Sequence, residues 1–405
     1  MSDLQRKPHV LIAGAGLGGL AAALALLQRG IDVDVYEQAP ALGEVGAGVQ
    51  ISANGTRVLF ELGLEEPVRK WGVLAVDKEI RLWSTGQTWS LFKRDSAPIG
   101  ERYGVPMFML HRGDLHAALV DGVRKTKPDA IHLNRRCTGF DQDDQGVALK
   151  FEDGTSTHGD ALVGADGLHS MIRAQLFGAA KPKFTGQVAW RGLVPMDKLP
   201  EYQRRMVGTN WIGPKAHVTC YPVRRGELFN VVGQVDRDDW QVESWTAEGS
   251  HEECLADFPG WHPEVQAMLS NSTTLYKWGL FLREPLERWT EGRVTLLGDA
   301  SHAMLPYLGQ GANSSLEDGL VMARCLAEWA GDPGKAFVQY EKARRERTTN
   351  LVNRSYEMAG TFHNEAMADA AGAEKYINTE WHPSKIGARY DWIYQYDAKT
   401  VGIGG

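Results

Sequence analysis

The stretch HVLIAGAGLGGLAAALALLQRGIDVDVYEQA, residues 9–39, decides the fold of this 405-residue chain. A short apolar run at residues 10–13 predicts a strand, and a glycine-rich turn follows it directly. The uncharged residues after the turn predict a helix that ends near Arg29, and residues 33–36 predict a second strand. Strand, turn, helix and strand in this order predict an α/β fold built on a Rossmann-like unit.

The glycines of this turn match a phosphate-binding pattern. Gly14, Gly16 and Gly19 satisfy G-x-G-x-x-G, which combines a tight turn, close backbone approach to a pyrophosphate and close packing of helix on strand. Glu37 ends the second strand, where a carboxylate accepts hydrogen bonds from ribose hydroxyls, and this favours FAD or NAD over NADP. An ordinary glycine turn is the alternative. The candidate residues of this dinucleotide site are Gly14, Gly16, Leu17, Gly19, Glu37 and Gln38.

Two further apolar runs end on small and acidic residues. The segment DALVGADGLHSMIR, residues 160–173, predicts a strand, a turn that contains Asp166, and a helix. The segment GDASHAMLPYLGQGANSSLEDG, residues 298–319, places Asp299 after a strand and keeps the following residues small until a helix begins near Asn313. Taken singly, each aspartate is also explained as a cap of a turn. Three such motifs in order favour a flat ligand that lies against the backbone.

These three motifs resemble those of the single-component flavoprotein aromatic hydroxylases, which share the para-hydroxybenzoate hydroxylase-like fold, and the resemblance spans essentially the whole chain. The resemblance implies tightly bound FAD, with Asp299 at its ribityl and ribose-phosphate part and the turn at residues 309–313 beside the isoalloxazine ring. The cofactor-binding residues that the resemblance adds are Val49, Gln50, Arg112, Asp166, Asp299, Pro306, Gly309, Gly311, Ala312 and Asn313.

The loop at residues 43–55 resembles the family segment beside the ring system. In the family the flavin swings between a buried and an exposed position there, and Gly46 and Gly48 would let it pass. A flexible surface loop is the alternative. For Arg112 the alternative is a solvated arginine at the start of a helix.

Composition excludes several other classes of protein. Basic and acidic residues are balanced (44 and 51, net charge -7), so neither a nucleic-acid surface nor a polybasic membrane anchor is indicated. The four cysteines contain no CxxC motif, which favours reduced thiols over a metal or disulfide framework. Residues 10–27 carry no charge, but their glycines predict strand, turn and helix rather than a membrane span. We therefore expect a cytoplasmic protein with no metal site.

The chain alternates between segments with strand–turn–helix motifs and segments with aromatic, strand-like runs. This alternation predicts an inserted domain. Residues 184–282 are rich in aromatic, strand-like runs that indicate an antiparallel sheet over the FAD-binding domain. We expect residues 78–92 to pair with this sheet. The predicted divisions are FAD-binding domain at 1–76, 105–180 and 285–332, substrate domain at 77–104 and 181–284, and C-terminal helices with an aromatic tail at 333–405.

Two residues in the middle sheet are the candidate catalytic residues. His217 and Tyr221 are four residues apart, so on a strand both point to the same face. The segment around them resembles the salicylate, 3-hydroxybenzoate and 6-hydroxynicotinate hydroxylase branch, where the matching pair binds and helps to deprotonate a phenol. The alternative is a pair of hydrogen-bonded sheet residues. Arg191 and Arg224 are basic residues of this domain that could meet a substrate carboxylate.

The resemblance implies a monooxygenase. NADH or NADPH would act as transient co-substrate, and one oxygen atom of O₂ would be inserted into a small aromatic acid through a flavin C4a-hydroperoxide, while the other would leave as water. A flavin oxidase or dehydrogenase of the same fold, and a non-catalytic flavin-binding protein, are the alternatives. Trp392 and Tyr396 in the tail are expected to clasp a neighbouring subunit, which would make a homodimer, or to cover the substrate entrance.

Overall fold

The structure is a computed structural model that describes residues 7–43, 47–91, 102–179, 181–237, 239 and 247–404. Gly46 of the predicted flavin loop lies outside the described residues. The strands, in chain order, are β1 (His9–Ala13), β2 (Asp32–Tyr36), β3 (Gly48–Ile51), β4 (Val73–Leu74), β5 (Lys78–Leu82), β6 (Thr88–Ser90), β7 (Phe108–His111), β8 (Ile131–His132), β9 (Cys137–Gln142), β10 (Val147–Phe151), β11 (Ser156–Gly159), β12 (Ala161–Gly164), β13 (Lys183–Pro195), β14 (Gly208–Gly213), β15 (Ala216–Val223), β16 (Leu228–Asp236), β17 (Glu248–Gly249), β18 (Leu275–Leu282), β19 (Thr290–Glu291) and β20 (Val294–Leu296).

The α-helices lie mainly at the two ends of the chain. In chain order they are α1 (Leu17–Gln28), α2 (Ala53–Glu61), α3 (Glu65–Trp71), α4 (Arg112–Thr126), α5 (Met171–Phe177), α6 (His251–Ala256), α7 (Pro263–Ser270), α8 (Asp299–His302), α9 (Gly311–Glu328), α10 (Pro333–Glu357), α11 (Ala359–Phe362), α12 (Ala370–Glu380) and α13 (Pro383–Tyr394). None of the described helices is both long and apolar enough to cross a membrane.

A six-stranded sheet in the order β19-β20-β12-β1-β2-β8 forms the first domain, and all its strands except β19 are parallel. Helix α1 is apolar around its whole circumference and is buried, because it packs against α4 and α9. Gly319 permits the contact with α9, since a Cβ there would come within 2.7 Å of the backbone nitrogen of Ala22. The parallel strands bring the three sequence motifs to one edge of the sheet.

An eight-stranded sheet in the order β17-β18-β13-β16-β15-β14-β5-β6 forms the second domain. Strand β5, from the segment predicted to join this sheet, pairs with β14 in parallel, whereas the other pairs are antiparallel. Alternate side chains face opposite ways. One face buries apolar side chains under α6 and α7, and we call it the packed face. Its side chains include Trp190, Trp211, Val218, Cys220 and Val231. The opposite face, here the cavity face, carries Lys78, Asn210, His217, Thr219, Tyr221, Asn230 and Gln234.

The C-terminal helices are fixed to the first domain by buried ion pairs. Arg344 on α10 contacts both Glu317 and Asp318 on α9 at 2.7 Å. Asp318 also contacts His302 at 2.6 Å, so this histidine is part of the turn structure. Removing one partner of a buried pair typically costs about 3–5 kcal/mol, so this cluster holds α8, α9 and α10 together.

The aromatic tail packs inside its own chain. The Arg347 guanidinium lies 3.8 Å from the centre of the Tyr396 ring, and Arg354 lies 5.4 Å from that of Trp392. Both side chains stay half-buried, so the expectation that Trp392 and Tyr396 reach a neighbouring subunit or the substrate entrance stays a prediction. Tyr390 and Tyr394 on α13 border a cavity.

Candidate active site

The three glycines of the first turn have different surroundings. Gly14 has φ +105°, and a side chain there would collide with the backbone of Ala165. A Cβ at Gly19 would collide with the carbonyl oxygen of Gly14, so this glycine lets α1 pack directly on the turn. A Cβ at Gly16 would meet no atom within 4 Å, and Gly16 borders a cavity. Packing explains Gly14 and Gly19, whereas the space at Gly16 is room for a ligand.

Two adjoining cavities are found at this place, and Gly16 borders the larger one. The larger cavity has a volume of about 410 Å³ and lies between the edge of the six-stranded sheet and the cavity face of the eight-stranded sheet. Arg191, Thr219 and Gln234 line it from the eight-stranded sheet. The predicted cofactor residues that line it are Gly16, Leu17, Gly19, Val49, Gln50, Arg112, Asp299, Pro306, Gly309, Gly311 and Ala312.

The lining of the larger cavity fits FAD. The N-termini of α1 and α9 both border it, so unpaired backbone N–H groups are available to phosphate and ring oxygens. Asp299 exposes its carboxylate there as an acceptor for ribityl hydroxyls. Gly309 has φ +63° and no atom near its Cβ position, and Gly311 has only Asp299 Oδ1 at 4.0 Å. The glycines leave one wall of the cavity flat enough for a ring system.

Glu37 also stabilises the first turn. Its carboxylate accepts hydrogen bonds of 2.9 Å from the backbone N–H groups of Ala15 and Ala39. Each carboxylate oxygen has a second lone pair, so acceptance from a ribose hydroxyl stays a prediction. Gln38 is exposed and lies outside the lining of the larger cavity.

Two predicted cofactor residues have structural partners instead of a place in the cavity lining. Asp166 accepts from the Ser170 hydroxyl at 2.5 Å and from the backbone N–H of Met171 at 2.8 Å, so it caps the start of α5. Asn313 is fully buried and donates to the carbonyl oxygens of Gln50 and Gly309. It thereby ties the turn before α9 to β3.

A smaller cavity, of about 90 Å³, adjoins the larger one. Residues that line both include Gln50, Pro306, Gly309 and Gln310, which therefore form a shared rim. The side chains that line only the smaller cavity come from both domains and the C-terminal helices; they include Lys78, Met107, Asn210, His217, Tyr307, Phe362, Tyr390 and Tyr394. A small ligand in this cavity would lie beside the glycine turn.

The structure separates the two candidate catalytic residues. His217 and Tyr221 share the cavity face, as their spacing predicts, but four residues of strand span about 13 Å. His217 lines the smaller cavity and Tyr221 the larger. Tyr221 packs on Gly48, where a Cβ would come within 2.7 Å of the phenol oxygen. Burial raises the pKa of Tyr221 above its usual range, so the phenol stays protonated.

His217 begins a chain of hydrogen bonds that leads out of the smaller cavity. Its Nδ1 lies 2.7 Å from Nε2 of His363, and Nδ1 of His363 lies 2.7 Å from Oδ1 of Asp236. The His363 side chain is 2% exposed, whereas that of Asp236 is 38% exposed, so the chain ends at the surface. Gln187 joins Tyr307 to the same carboxylate, with bonds of 2.7 and 3.0 Å.

Burial and charge set the protonation of this chain. Burial above all, with the positive charge of Lys78, holds the pKa of His217 well below its usual value, so its imidazole is neutral at pH 7. Desolvation raises the pKa of Asp236, but bonds from His363 and Gln187 outweigh it and hold this pKa below the usual range. The chain therefore joins a neutral imidazole to an ionised carboxylate.

Reasoning from the sequence missed four polar residues of this site: Lys78, Asn210, Asp236 and His363. Asn210 lies in the same predicted sheet as His217, and they share a face only through the register of the β14–β15 hairpin, which the sequence does not give. His363 reaches His217 across 146 positions of sequence, and that contact depends on how the C-terminal helices pack. Arg224, by contrast, is paired with Asp114 at 2.6 Å and lines neither cavity.

Comparisons with known proteins agree with this geometry. Residues 7–355 match the family described as FAD binding domain. The chain is 36% identical over 397 residues to a 3-amino-4-hydroxybenzoate 2-monooxygenase of Streptomyces platensis, and the match covers 98% of each chain. It is 36% identical over 406 residues to a 3-hydroxybenzoate 6-hydroxylase of Polaromonas naphthalenivorans, again with 98% of each covered. The crystal structure of Klebsiella pneumoniae HpxO complexed with FAD and uric acid superposes with a TM-score of 0.83 at 28% identity, over 100% of both chains.

The chain belongs to the FAD-dependent aromatic monooxygenase family. The family and the fold class predicted from the sequence are both confirmed: a Rossmann-like α/β domain, an inserted sheet and C-terminal helices. By their names, the Streptomyces and Polaromonas enzymes act on hydroxylated benzoates.

Proposed function

We propose that this protein uses NAD(P)H and O₂ to hydroxylate a small aromatic acid that carries a ring hydroxyl. Salicylate-like, 3-hydroxybenzoate-like and hydroxynicotinate-like acids are the class we favour. The observation that carries the proposal is the neutral His217 in a small cavity next to the glycine turn of the larger one. A ring in the smaller cavity would present its hydroxyl to a proton acceptor and another edge to the turn.

The hydrogen-bond chain determines which nitrogen of His217 accepts the proton. An ionised carboxylate can only accept, so Nδ1 of His363 donates to Asp236. In the neutral form of His363, on which this proposal relies, Nε2 carries no proton and accepts from Nδ1–H of His217. Nε2 of His217 is therefore the unprotonated nitrogen. The chain selects the tautomer that a general base needs.

The same chain provides a route for the proton. As the substrate O–H bond breaks, an N–H bond forms at Nε2 of His217, and its Nδ1–H passes to Nε2 of His363. Nδ1–H of His363 then passes to Asp236, whose exposed carboxyl releases the proton to water. The substrate becomes a phenolate, which is more electron-rich and therefore more reactive towards an electrophilic oxygen. Bound in the larger cavity, FAD would supply hydride acceptance from NAD(P)H and activation of O₂.

The test is stopped-flow reduction of the FAD-loaded protein by NADH and by NADPH. Each run is repeated with 3-amino-4-hydroxybenzoate, 3-hydroxybenzoate, 6-hydroxynicotinate, salicylate and, as a ring without a carboxylate, uric acid. We expect one of the acids to accelerate flavin reduction and to gain one oxygen atom in mass, with or without loss of carbon dioxide. Reduction by an aromatic substrate alone, without nicotinamide, would support the oxidase or dehydrogenase alternative instead.

A further inference from the structure

We propose that Lys78 and Asn210 form the subsite that binds the carboxylate of the aromatic substrate. The inference rests on the proposed function, because it assigns a pair of donors to one group of that substrate.

The register of two strands places these side chains together. Lys78 pairs with Gly208, and Asn210 pairs with Ile80, in the parallel β5–β14 ladder. Residues two apart on a strand point to the same face, so both side chains project from the cavity face. Their Cα atoms are about 8 Å apart, from the spacing of neighbouring strands and the rise per residue. Gly208 has no side chain between them, and both residues line the smaller cavity.

Lys78 brings a positive charge without a protein counter-charge. Burial lowers its pKa to about 8, and within the described ranges of the chain no ion pair offsets this. Asp77 also lines the smaller cavity, but its carboxylate accepts from the backbone N–H of Lys78 and from the Ser90 hydroxyl, and no ion pair joins it to the Lys78 ammonium in the described residues. A buried ammonium is costly unless an anion accompanies it. A bound anion would remove that cost.

Asn210 brings a donor without an acceptor. Its Oδ1 accepts from the Thr219 hydroxyl at 2.9 Å, which fixes the orientation of the amide. Its Nδ2 is buried and has no hydrogen-bond partner among the residues that the structure describes. Buried donors without acceptors are rare in proteins, so this nitrogen marks the place of a ligand atom. An ammonium and an amide N–H on one wall suit the two oxygens of a carboxylate.

The position of this subsite also agrees with the rest of the cavity. His217 lies on the same face, and the charge of Lys78 is close enough to contribute to the lowered pKa of the imidazole. A ring held between them would have its carboxylate at Lys78 and Asn210 and its hydroxyl at His217. Arg224 is paired with Asp114, and Arg191 lies against Trp278 in the larger cavity, so Lys78 is the cation best placed for this group.

The test compares acids with their neutral amides. The FAD-loaded protein is titrated with 3-hydroxybenzoate, 4-hydroxybenzoate and 6-hydroxynicotinate, and with the matching carboxamides, while the visible spectrum of the flavin reports binding. Lys78→Met removes the charge at nearly constant side-chain length. We expect it to weaken binding of the acid by about tenfold or more and to leave that of the carboxamide within about twofold. Lys78→Arg should recover part of the affinity for the acid.

Two further variants separate recognition of the carboxylate from a general effect on the structure. Lys198→Met removes an exposed charge from the same domain and should leave every titration unchanged. Asn210→Ala should weaken binding of the acid more than that of the amide. Equal loss for acid and amide in Lys78→Met, or no loss for either, would overturn the subsite. If the wild type hydroxylates a phenol but binds none of these acids, the subsite is wrong and the monooxygenase assignment stands.

Discussion

The two faces of the eight-stranded sheet are made by the same strands and differ in how their polar atoms are satisfied. On the packed face the indole N–H of Trp190 donates to Asp257 at 2.7 Å, and Lys277 is paired with Glu253. On the cavity face, Asn210 Nδ2, Asn230 Nδ2 and Gln234 Oε1 are buried without a partner among the described residues. These polar side chains of the packed face are paired within the protein, whereas those of the cavity face keep unpaired polar atoms among the described residues.

This difference indicates that the two faces of the sheet serve stability and binding separately. Burying a polar group without a hydrogen bond costs about 1–3 kcal/mol, so several such groups on one face are retained only if something compensates. The compensation proposed here is the flavin and its substrate. Substitutions on the packed face should therefore affect stability, and those on the cavity face should affect binding and turnover.

The largest expected effect is at Phe258, which follows α6 and packs against the packed face at Gly233. Phe258 is fully buried and packs edge-to-face on Trp261 at 5.2 Å, so Phe258→Ala should lower the free energy of unfolding by about 3–5 kcal/mol. Denaturant titration at fixed FAD concentration measures this. Turnover per folded, FAD-loaded molecule should stay unchanged. Lost turnover with unchanged stability would contradict the division between the faces.

The second effect concerns the cavity face. His217→Ala should lower turnover by about tenfold or more, because the general base is lost, while the protein keeps its FAD. Val218→Ala is the matched control, since Val218 is the next residue on β15 and lies on the packed face. It should cost about 2 kcal/mol of stability and little turnover. Unchanged turnover in His217→Ala would remove this residue from the mechanism.

The smallest effect is expected at the outer end of the hydrogen-bond chain. Asp236→Asn keeps an acceptor for His363 but removes the group that takes the proton, so turnover should fall by about threefold. Its solvent deuterium isotope effect should exceed that of the wild type, because proton transfer becomes more limiting. Since the pKa of Asp236 is lowered in the folded protein, the stability it contributes is present above the unfolded pKa and is lost as the pH falls through the folded value. An isotope effect equal to that of the wild type would show that Asp236 only holds His363 in place.

The sequence predicted what depends on local order. The turn at Gly14, Gly16 and Gly19, the strand after which Asp299 follows and the shared face of His217 and Tyr221 each arise from a few consecutive residues. Asp166 shows the limit, because a cofactor-binding aspartate and a helix-capping one look alike in sequence. The separation of His217 from Tyr221 was missed because side-chain parity was considered and distance along the strand was not.

The remaining features depend on contacts between distant segments. Lys78 comes to lie on the same cavity wall as Asn210 only through the parallel register of β5 with β14. His363 meets His217 only because α10 is held on α9 by buried ion pairs and carries the C-terminal helices over the sheet. Neither arrangement leaves a periodic pattern in the sequence, so neither could be predicted before the fold was known.

The most direct test of the central claim is turnover in ¹⁸O₂. The FAD-loaded protein, NADH or NADPH and the acid that best accelerates flavin reduction are mixed under labelled oxygen, and the product is analysed by mass spectrometry. The account predicts a product with one ¹⁸O atom, and loss of that product in His217→Ala. A product that is oxidised but carries no ¹⁸O would contradict it and identify a flavin oxidase or dehydrogenase instead.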